Sequence, residues 1–165
     1  MSKIRLAGPL QKESIADGKG VRIVVWNQGC LIHCPGCHNP ETHDPKGGRE
    51  IDIQEVKDYI LKYAPYHQGI TLSGGDPFLQ PKANEEIAKY AHSLGLDVWA
   101  YCGKTFDQLK NNSFTYDLLK ECDVLVDGPF ILKLRDVSLA FRGSSNQRVI
   151  NVKESLEKGE VVLFL

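Results

Sequence analysis

The sequence has no large charge excess, no long apolar run and no internal repeat, and these absences exclude several classes of protein. Twenty Lys and Arg residues stand against twenty-one Asp and Glu residues, so the net charge of −1 creates no global positive field that would favour nucleic acid. No segment approaches the roughly eighteen apolar residues that span a bilayer, and the N-terminus lacks the apolar core of a signal peptide. We therefore expect a cytoplasmic protein that binds neither nucleic acid nor membrane.

Length and composition predict one globular domain over residues 1–165. The chain is 42% hydrophobic and 25% charged, which suits a single buried core. Predicted strands alternate with predicted helices, which favours βαβ crossovers and a mainly parallel sheet. A closed eight-stranded βα barrel usually takes roughly 200 residues or more, so we expect an α/β fold in the form of a truncated, open, partial TIM-type barrel.

Local patterns predict individual elements of this fold. Residues 3–26 indicate two extended segments joined by a polar turn at residues 17–20. A helix is expected from about Asp52 until Pro65 stops it. The apolar residues 161–164 indicate a last strand.

Three of the five cysteines lie within eight positions of one another, at Cys30, Cys34 and Cys37. Cysteines in a reducing compartment seldom form a disulfide framework, so three thiols on one loop indicate metal or redox chemistry. Cys102 and Cys122 stand apart from this cluster. We expect both to be buried and to act as small apolar residues.

Several kinds of site are compatible with such a loop. A structural zinc site would need a fourth ligand from a nearby histidine, for which the candidates are His33, His38 and His43. Cys34 and Cys37 could form a redox dithiol, but that would leave Cys30 idle. The five residues from Cys34 to His38 also match the c-type haem attachment pattern, which requires export from the cytoplasm. No Ser-His-Asp or paired-carboxylate arrangement supports hydrolysis.

The spacing best fits a four-iron, four-sulfur cluster held by three thiolates. Gaps of three and then two residues let one loop wrap a single inorganic centre, and soft thiolate ligands suit iron–sulfur chemistry. The absence of a fourth clustered cysteine would leave one iron open to a ligand that is not protein. Such a cluster is a reactive site rather than a structural one.

The motif Cys30-x3-Cys34-x2-Cys37 resembles the cluster motif of the radical S-adenosylmethionine (SAM) enzymes, in which the open iron chelates the amino and carboxylate groups of SAM. Many of these enzymes carry an aromatic residue before the third cysteine, where this chain has Gly36. Pro-Gly at that place is typical of the activating proteins of anaerobic ribonucleoside-triphosphate reductases, a group of glycyl-radical-enzyme activases. Residues 17–22 resemble the stretch that precedes the cluster in the glycyl-radical-enzyme activases. Four further segments in the same order resemble the reductase-activating group, namely residues 37–42, 73–77, 126–130 and 142–148.

This resemblance implies an enzyme, a radical SAM oxidoreductase. It would cleave SAM to a 5′-deoxyadenosyl radical and generate a glycyl radical on the large subunit of anaerobic ribonucleoside-triphosphate reductase, with flavodoxin or ferredoxin as electron donor. The implied ligands of the 4Fe-4S cluster are Cys30, Cys34 and Cys37. The implied SAM-binding residues are Gly36, His38, Gly74, Gly75 and Asp76. Further contacts with SAM or with the partner are expected of Lys104, Arg142, Asn146 and Arg148.

The predicted topology also says where these residues should meet. Ligands of parallel α/β sheets collect at the carboxyl ends of the strands. The cysteine loop and three further segments each follow a predicted strand directly, at residues 74–77, 101–104 and 127–129. We therefore expect all four segments to line one edge of the sheet.

Two alternative functions are carried forward. Within the same class, the chain would activate another glycyl radical enzyme or act on a small molecule as a radical SAM enzyme. In a different class, it would be a non-enzymatic electron carrier or a zinc-binding adaptor, which would explain neither the Gly74-Gly75-Asp76 motif nor the alignment of strand ends.

Overall fold

The protein has an α/β fold built on one open sheet, described by a computed structural model for residues 2–37 and 40–165. Its strands are β1 (Lys3–Leu6), β2 (Gln11–Ser14), β3 (Arg22–Asn27), β4 (Arg49–Asp52), β5 (Gly69–Gly74), β6 (Asp97–Cys102), β7 (Val124–Asp127) and β8 (Arg148–Asn151). Its α-helices are α1 (Ile53–Tyr63), α2 (Pro81–Ser93), α3 (Phe106–Lys110), α4 (Ser113–Glu121) and α5 (Val152–Lys158).

The sheet is parallel at its centre and antiparallel at its flanks. The strand order is β4-β1-β3-β5-β6-β7-β8, and β2 pairs with β3 beside β1. The ladders β3–β5, β5–β6 and β6–β7 are parallel, whereas β1, β2, β4 and β8 pair antiparallel. Within the described residues no ladder joins β4 to β8, so the sheet does not close. The predicted α/β class, parallel centre and open barrel are thereby confirmed.

The connections explain this mixture of directions. Parallel neighbours need a crossover, usually a helix, and α1, α2 and the α3–α4 pair supply the crossovers into β5, β6 and β7. Between β7 and β8 the chain forms only a short 3-10 turn at Leu132–Leu134. Without a crossover helix, β8 returns antiparallel to β7.

The core lies between the parallel strands and the inner faces of the helices. Ile60 of α1, Ile87 of α2 and Leu118 of α4 are fully buried, as is Leu72 at the centre of β5. The central strands are buried on both faces, which is the usual state of parallel strands. This packing holds the carboxyl ends of β3, β5, β6 and β7 at one edge.

Three local expectations differ from the structure. The N-terminal region contains three strands instead of two extended segments, and β4 and α5 were not anticipated. The predicted strand at residues 161–164 is wrong: it forms only an isolated bridge between Leu163 and Ile150. Two backbone hydrogen bonds flank that bridge, from Asn151 N to Val162 O at 2.8 Å and from Phe164 N to Val149 O at 2.7 Å, and these are too few to extend a ladder.

One local expectation about the helices is met. The predicted first helix is α1, which begins directly after Asp52. None of the helices within residues 2–37 and 40–165 combines the length and apolar character that crossing a bilayer requires.

Candidate functional site

A cavity lies at the edge where the four parallel strands end. Residues from all four strand-end segments contribute to its wall: Cys30, Cys34, Cys37, Gly74, Gly75, Tyr101, Cys102, Gly103 and Gly128. Thr42, His43, Phe130 and Gln147 complete much of the remaining wall. The predicted convergence of these segments is therefore observed.

The three clustered thiols are half-buried and unpaired by disulfides. A backbone hydrogen bond from Cys37 N to Cys34 O, 3.0 Å long, closes the turn between the second and third cysteines, and Gly36 supplies the left-handed backbone of that turn with φ at 76°. Burial raises the pKa of Cys30, and hydrogen bonds from the backbone amides of Ile32 and His33 oppose that shift. The amide bonds favour the thiolate that a metal centre requires.

The three clustered thiols are candidate ligands of a metal centre. Within the described ranges, no group of three or more His, Cys, Asp or Glu side chains is already arranged to hold a metal ion. In an iron–sulfur cluster, cysteine thiolates bind the separate irons. All three clustered cysteines contribute to the wall of one cavity.

The glycine motif after β5 holds the base of the cysteine loop. Gly75 N donates to Asn27 O at 2.9 Å, and Asp76 N donates to Gly29 O at 2.7 Å. A Cβ on Gly75 would lie 2.5 Å from the Gly29 carbonyl oxygen, and a Cβ on Gly74 would lie 2.3 Å from the Asn27 carbonyl oxygen. Both glycines are therefore required by the close approach of two backbone segments.

The side chain of Asp76 is engaged by the protein. It is 2% exposed, and its Oδ1 accepts hydrogen bonds from Phe78 N at 2.9 Å and from Cys102 Sγ at 3.3 Å. Burial raises the pKa of Asp76, while these two donors and the charge of Lys104 oppose the shift. Asp76 thus caps the 3-10 turn Pro77–Leu79 and is not among the residues that line the cavity.

Cys102 is buried in the hydrophobic core, as expected. It also contributes to the cavity wall, and its thiol donates to Asp76, neither of which was anticipated. Its position directly at the end of a predicted strand was the available signal. Cys122 is fully buried and donates to the Leu118 carbonyl at 3.4 Å, as expected of a residue that packs in the core.

Five of the remaining predicted contacts do not line the cavity, namely Gly36, Lys104, Arg142, Asn146 and Arg148. Arg148 is paired with Asp127, and Arg142 donates from Nη1 to the Gln147 carbonyl at 3.3 Å. Lys104 is exposed. His38 lies outside the described residues.

Within the described part of the chain, three buried side-chain atoms have no hydrogen-bond partner: His43 Nε2, Arg142 Nε and Asn146 Oδ1. Asn146 is oriented by its Nδ2, which donates to the Pro129 carbonyl at 2.8 Å. Buried polar atoms are rarely left unpaired. His43 lines the cavity, and an unpaired polar atom on a cavity residue is a feature that a bound ligand can satisfy.

Comparisons with known proteins agree with this site. The profile of the family described as "4Fe-4S single cluster domain" matches residues 16–150, a range that includes all four strand-end segments. The chain is similar to the anaerobic ribonucleoside-triphosphate reductase-activating protein of Escherichia coli strain K12, with 35% identity over 151 residues that cover 84% of this chain and 94% of that protein.

Two further similarities are more limited. The pyruvate formate-lyase-activating enzyme of Clostridium pasteurianum is 36% identical over 91 residues, which cover 53% of this chain and 38% of that protein. The crystal structure of QueE from Escherichia coli has a TM-score of 0.51 and covers 94% of this chain and 75% of that chain, at 10% identity. The second likeness concerns the fold alone.

Proposed function

Because the chain belongs to the 4Fe-4S single cluster domain family and to the anaerobic ribonucleoside-triphosphate reductase-activating proteins, we propose that it generates a glycyl radical on such a reductase by reductive cleavage of SAM. One observation carries the proposal: Cys30, Cys34 and Cys37 line the same cavity as the glycine pair at the end of β5. The chain is in this view an activating enzyme of the radical SAM type.

The three cysteines would hold the cluster as thiolates, with the fourth iron left for SAM. When bound, the cluster would supply the single electron for reductive cleavage of SAM to methionine and a 5′-deoxyadenosyl radical, the species that would take a hydrogen atom from a glycine of the reductase. Flavodoxin or ferredoxin is the proposed donor of the electron. The protein's own contribution is to bind, orient and shield these groups.

The predicted SAM contacts divide according to their place around the cavity. Gly74 and Gly75 line it and expose backbone groups at the strand end. Asp76 supports them: its backbone amide is bonded to Gly29 and its side chain caps the next turn. Gly36 shapes the turn before the third cysteine, and His38 follows that cysteine directly in the sequence.

Outer contacts are proposed for the part of SAM, or of the partner, that extends beyond the cavity. The cavity volume is about 130 Å³, below the roughly 300 Å³ at which ordinary small-molecule sites begin, so a nucleoside-bearing cofactor would extend towards the open side of the sheet. Asn146 Oδ1 is an acceptor without a partner in the described part of the chain. Lys104, Arg142 and Arg148 are proposed as further contacts, although the charge of Arg148 is already paired with Asp127.

Anaerobic reconstitution followed by SAM cleavage tests this function. The protein should bind about four irons and four sulfides per chain and release 5′-deoxyadenosine from SAM when reduced with dithionite. Mixed with an anaerobic ribonucleoside-triphosphate reductase, it should produce the doublet of a glycyl radical in electron paramagnetic resonance. Stoichiometric zinc without deoxyadenosine would contradict the proposal.

A second candidate partner is a pyruvate formate-lyase, favoured by the similarity to its activating enzyme over 91 residues. That similarity covers about half of this chain, whereas the similarity to the reductase activator covers 84% of it. Parallel incubations with the two target enzymes distinguish the candidates. A glycyl doublet on the lyase but not on the reductase would reverse our assignment, and deoxyadenosine release without a doublet on either would favour a small-molecule substrate.

A further inference from the structure

The imidazole of His43 is held against the cluster loop by both its backbone and its ring. Its carbonyl accepts a hydrogen bond from Cys30 N at 3.0 Å. Its Nδ1 lies 3.2 Å from Nδ1 of His33, and the two rings meet edge to face with centroids 4.8 Å apart. Its Nε2 is buried and has no partner within the described residues, although the residue lines the cavity.

The contact between the two histidines limits the protonation of the neutral rings. Only one of the two Nδ1 atoms can carry the shared hydrogen, and each neutral imidazole carries one N–H in all. If His33 donates, His43 keeps its hydrogen on Nε2 and offers a donor to the cavity. If His43 donates, its Nε2 offers a lone pair instead.

The chemistry of the proposed occupant selects between these tautomers. Thiolates and the sulfides of an iron–sulfur cluster are acceptors and carry no hydrogen to donate. His43 lines the same cavity as the three cysteines, and a buried Nε2 facing such acceptors would be satisfied only when it carries the hydrogen, since an unpaired buried polar atom is costly. The tautomer with His33 as donor is therefore the one that matches a bound cluster.

His33 is itself shaped for this task. It is one of two non-glycine residues with positive φ in the described part of the chain, at 52°, a conformation that costs free energy and is often found at functional sites. Its backbone amide donates to the thiol of Cys30, while its ring contacts His43. Both histidines thus contact Cys30 through the main chain: the His33 amide donates to its thiol, and the His43 carbonyl accepts from its N–H.

We propose that His43 donates a hydrogen bond from Nε2–H to a sulfur of the cluster, on the side of Cys30, and that His33 positions the ring for this bond. The proposal rests on the proposed function, since it requires the cluster. The proposed bond would change the reduction potential of the cluster. A hydrogen bond to sulfur stabilises the more negative reduced state, so His43 and His33 together would raise that potential.

The test compares the reconstituted protein with His43→Leu, which removes the donor, and with His43→Gln, which retains an N–H donor the same number of bonds from Cβ but on a more flexible side chain. Iron content and the midpoint potential without SAM would be measured for each. We expect His43→Leu to keep its iron and to show a lower midpoint potential. His43→Gln should lie between His43→Leu and the unmodified protein.

Pulsed electron paramagnetic resonance of the reduced cluster measures the coupling of nearby nitrogen nuclei to the unpaired electron. If His43 had only a structural role, this coupling would not depend on its imidazole. In protein labelled with ¹⁵N only in the imidazole rings of histidine, a weak nitrogen coupling should be present and should disappear in His43→Leu. His33→Leu should lower the potential in the same direction, since the ring of His43 loses its orientation.

The outcomes separate the two proposals. If His43→Leu keeps its iron, potential and nitrogen coupling, the hydrogen bond is overturned while the proposed function stands. A strong coupling typical of a nitrogen bound to iron would also overturn it, because His43 would then be a ligand. If the unmodified protein binds zinc and releases no deoxyadenosine, the proposed function fails and the inference fails with it.

Discussion

Asp127 and Arg148 face each other across the β7–β8 ladder and are joined by two hydrogen bonds. Arg148 Nε donates to Oδ1 at 3.0 Å and Nη2 donates to Oδ2 at 2.6 Å. Oδ2 also accepts from Phe106 N, 2.8 Å away, at the start of α3. The Asp127 carboxylate is 1% exposed on its side chain, and its hydrogen bonds raise the pKa of Arg148. One buried carboxylate thus ties the last strand to the wall of the candidate site.

Replacing Arg148 with Leu should destabilise the fold. Of the hydrogen bonds to the buried Asp127 carboxylate described above, only the one from the Phe106 amide would remain. We therefore expect the free energy of unfolding to fall by about 1–3 kcal/mol. Urea unfolding measures it. Arg148→Lys should recover part of the loss, since an ammonium cannot reproduce the two-pronged contact. Unchanged stability with weakened SAM binding would instead identify Arg148 as a SAM ligand.

Replacing Gly75 with Ala should disturb the cysteine loop. Its Cβ would lie 2.5 Å from the Gly29 carbonyl oxygen and 2.9 Å from that of Thr42, so backbone must move. We expect a lower iron content after reconstitution and a lower melting temperature. Gly8→Ala is the matched control, because a Cβ there meets nothing within 4 Å. Equal iron content in the two variants would show that the loop adapts.

Single Ser substitutions should sort the cysteines into two classes. Cys30→Ser, Cys34→Ser and Cys37→Ser should each lose most of the cluster, measured as iron and sulfide per chain. Cys102→Ser should retain it, because a hydroxyl can still donate to Asp76. If Cys102→Ser lost the cluster and the other three variants kept it, the cluster ligands would have been assigned to the wrong thiols.

His92 and Asp123 should make stability depend on pH. His92 Nε2 lies 2.8 Å from Asp123 Oδ2, which also accepts from Val98 N at 2.8 Å. The hydrogen bond to Asp123 raises the pKa of His92. Burial would raise the pKa of Asp123, but the hydrogen bonds from His92 and Val98 outweigh burial and lower it.

The directions of the two pKa shifts define the pH range in which the His92–Asp123 pair stabilises the fold. The contribution of His92 is fully present below its ordinary pKa of about 6.5 and is lost as the pH rises through the raised value. The contribution of Asp123 is present above its ordinary pKa of about 3.9 and is lost as the pH falls through the lowered value. Urea midpoints of the protein and of His92→Gln should therefore differ most between about pH 4 and 6.5. A difference that does not change with pH would exclude this pair as the cause.

Exposed apolar residues after β7 should contribute to partner binding. Leu134 is 41% exposed and Val137 87% exposed, and their neighbour Leu132 lies 3.0 Å from where a Cβ on Gly36 would stand. Leu134→Asp with Val137→Asp should lower the yield of glycyl radical on the reductase and leave deoxyadenosine release without the reductase unchanged. Tyr66→Asp is the control, since Tyr66 is 78% exposed just before β5, at the opposite end of that strand. Equal loss in the control would show a general effect of surface charge.

The fold was largely predictable because its signals are local. Alternating strands and helices indicate a parallel sheet, and a chain of 165 residues is too short for a closed barrel. The flanks were less predictable. β4 has only four residues, and its partner β1 lies far away in the sequence. Residues 161–164 have the composition of a strand but too few pairing contacts to form one.

The sequence by itself determined the chemical character of the candidate centre, since the spacing of Cys30, Cys34 and Cys37 belongs to one continuous loop. Only the tertiary structure decided which distant groups meet that loop. It brought Cys102 to the cavity wall, paired Arg148 with Asp127 and left Nε2 of His43 without a partner among residues 2–37 and 40–165. The physical reason is that these contacts depend on strand register and on loop packing across the sheet. The type of a residue does not specify which distant residue lies next to it.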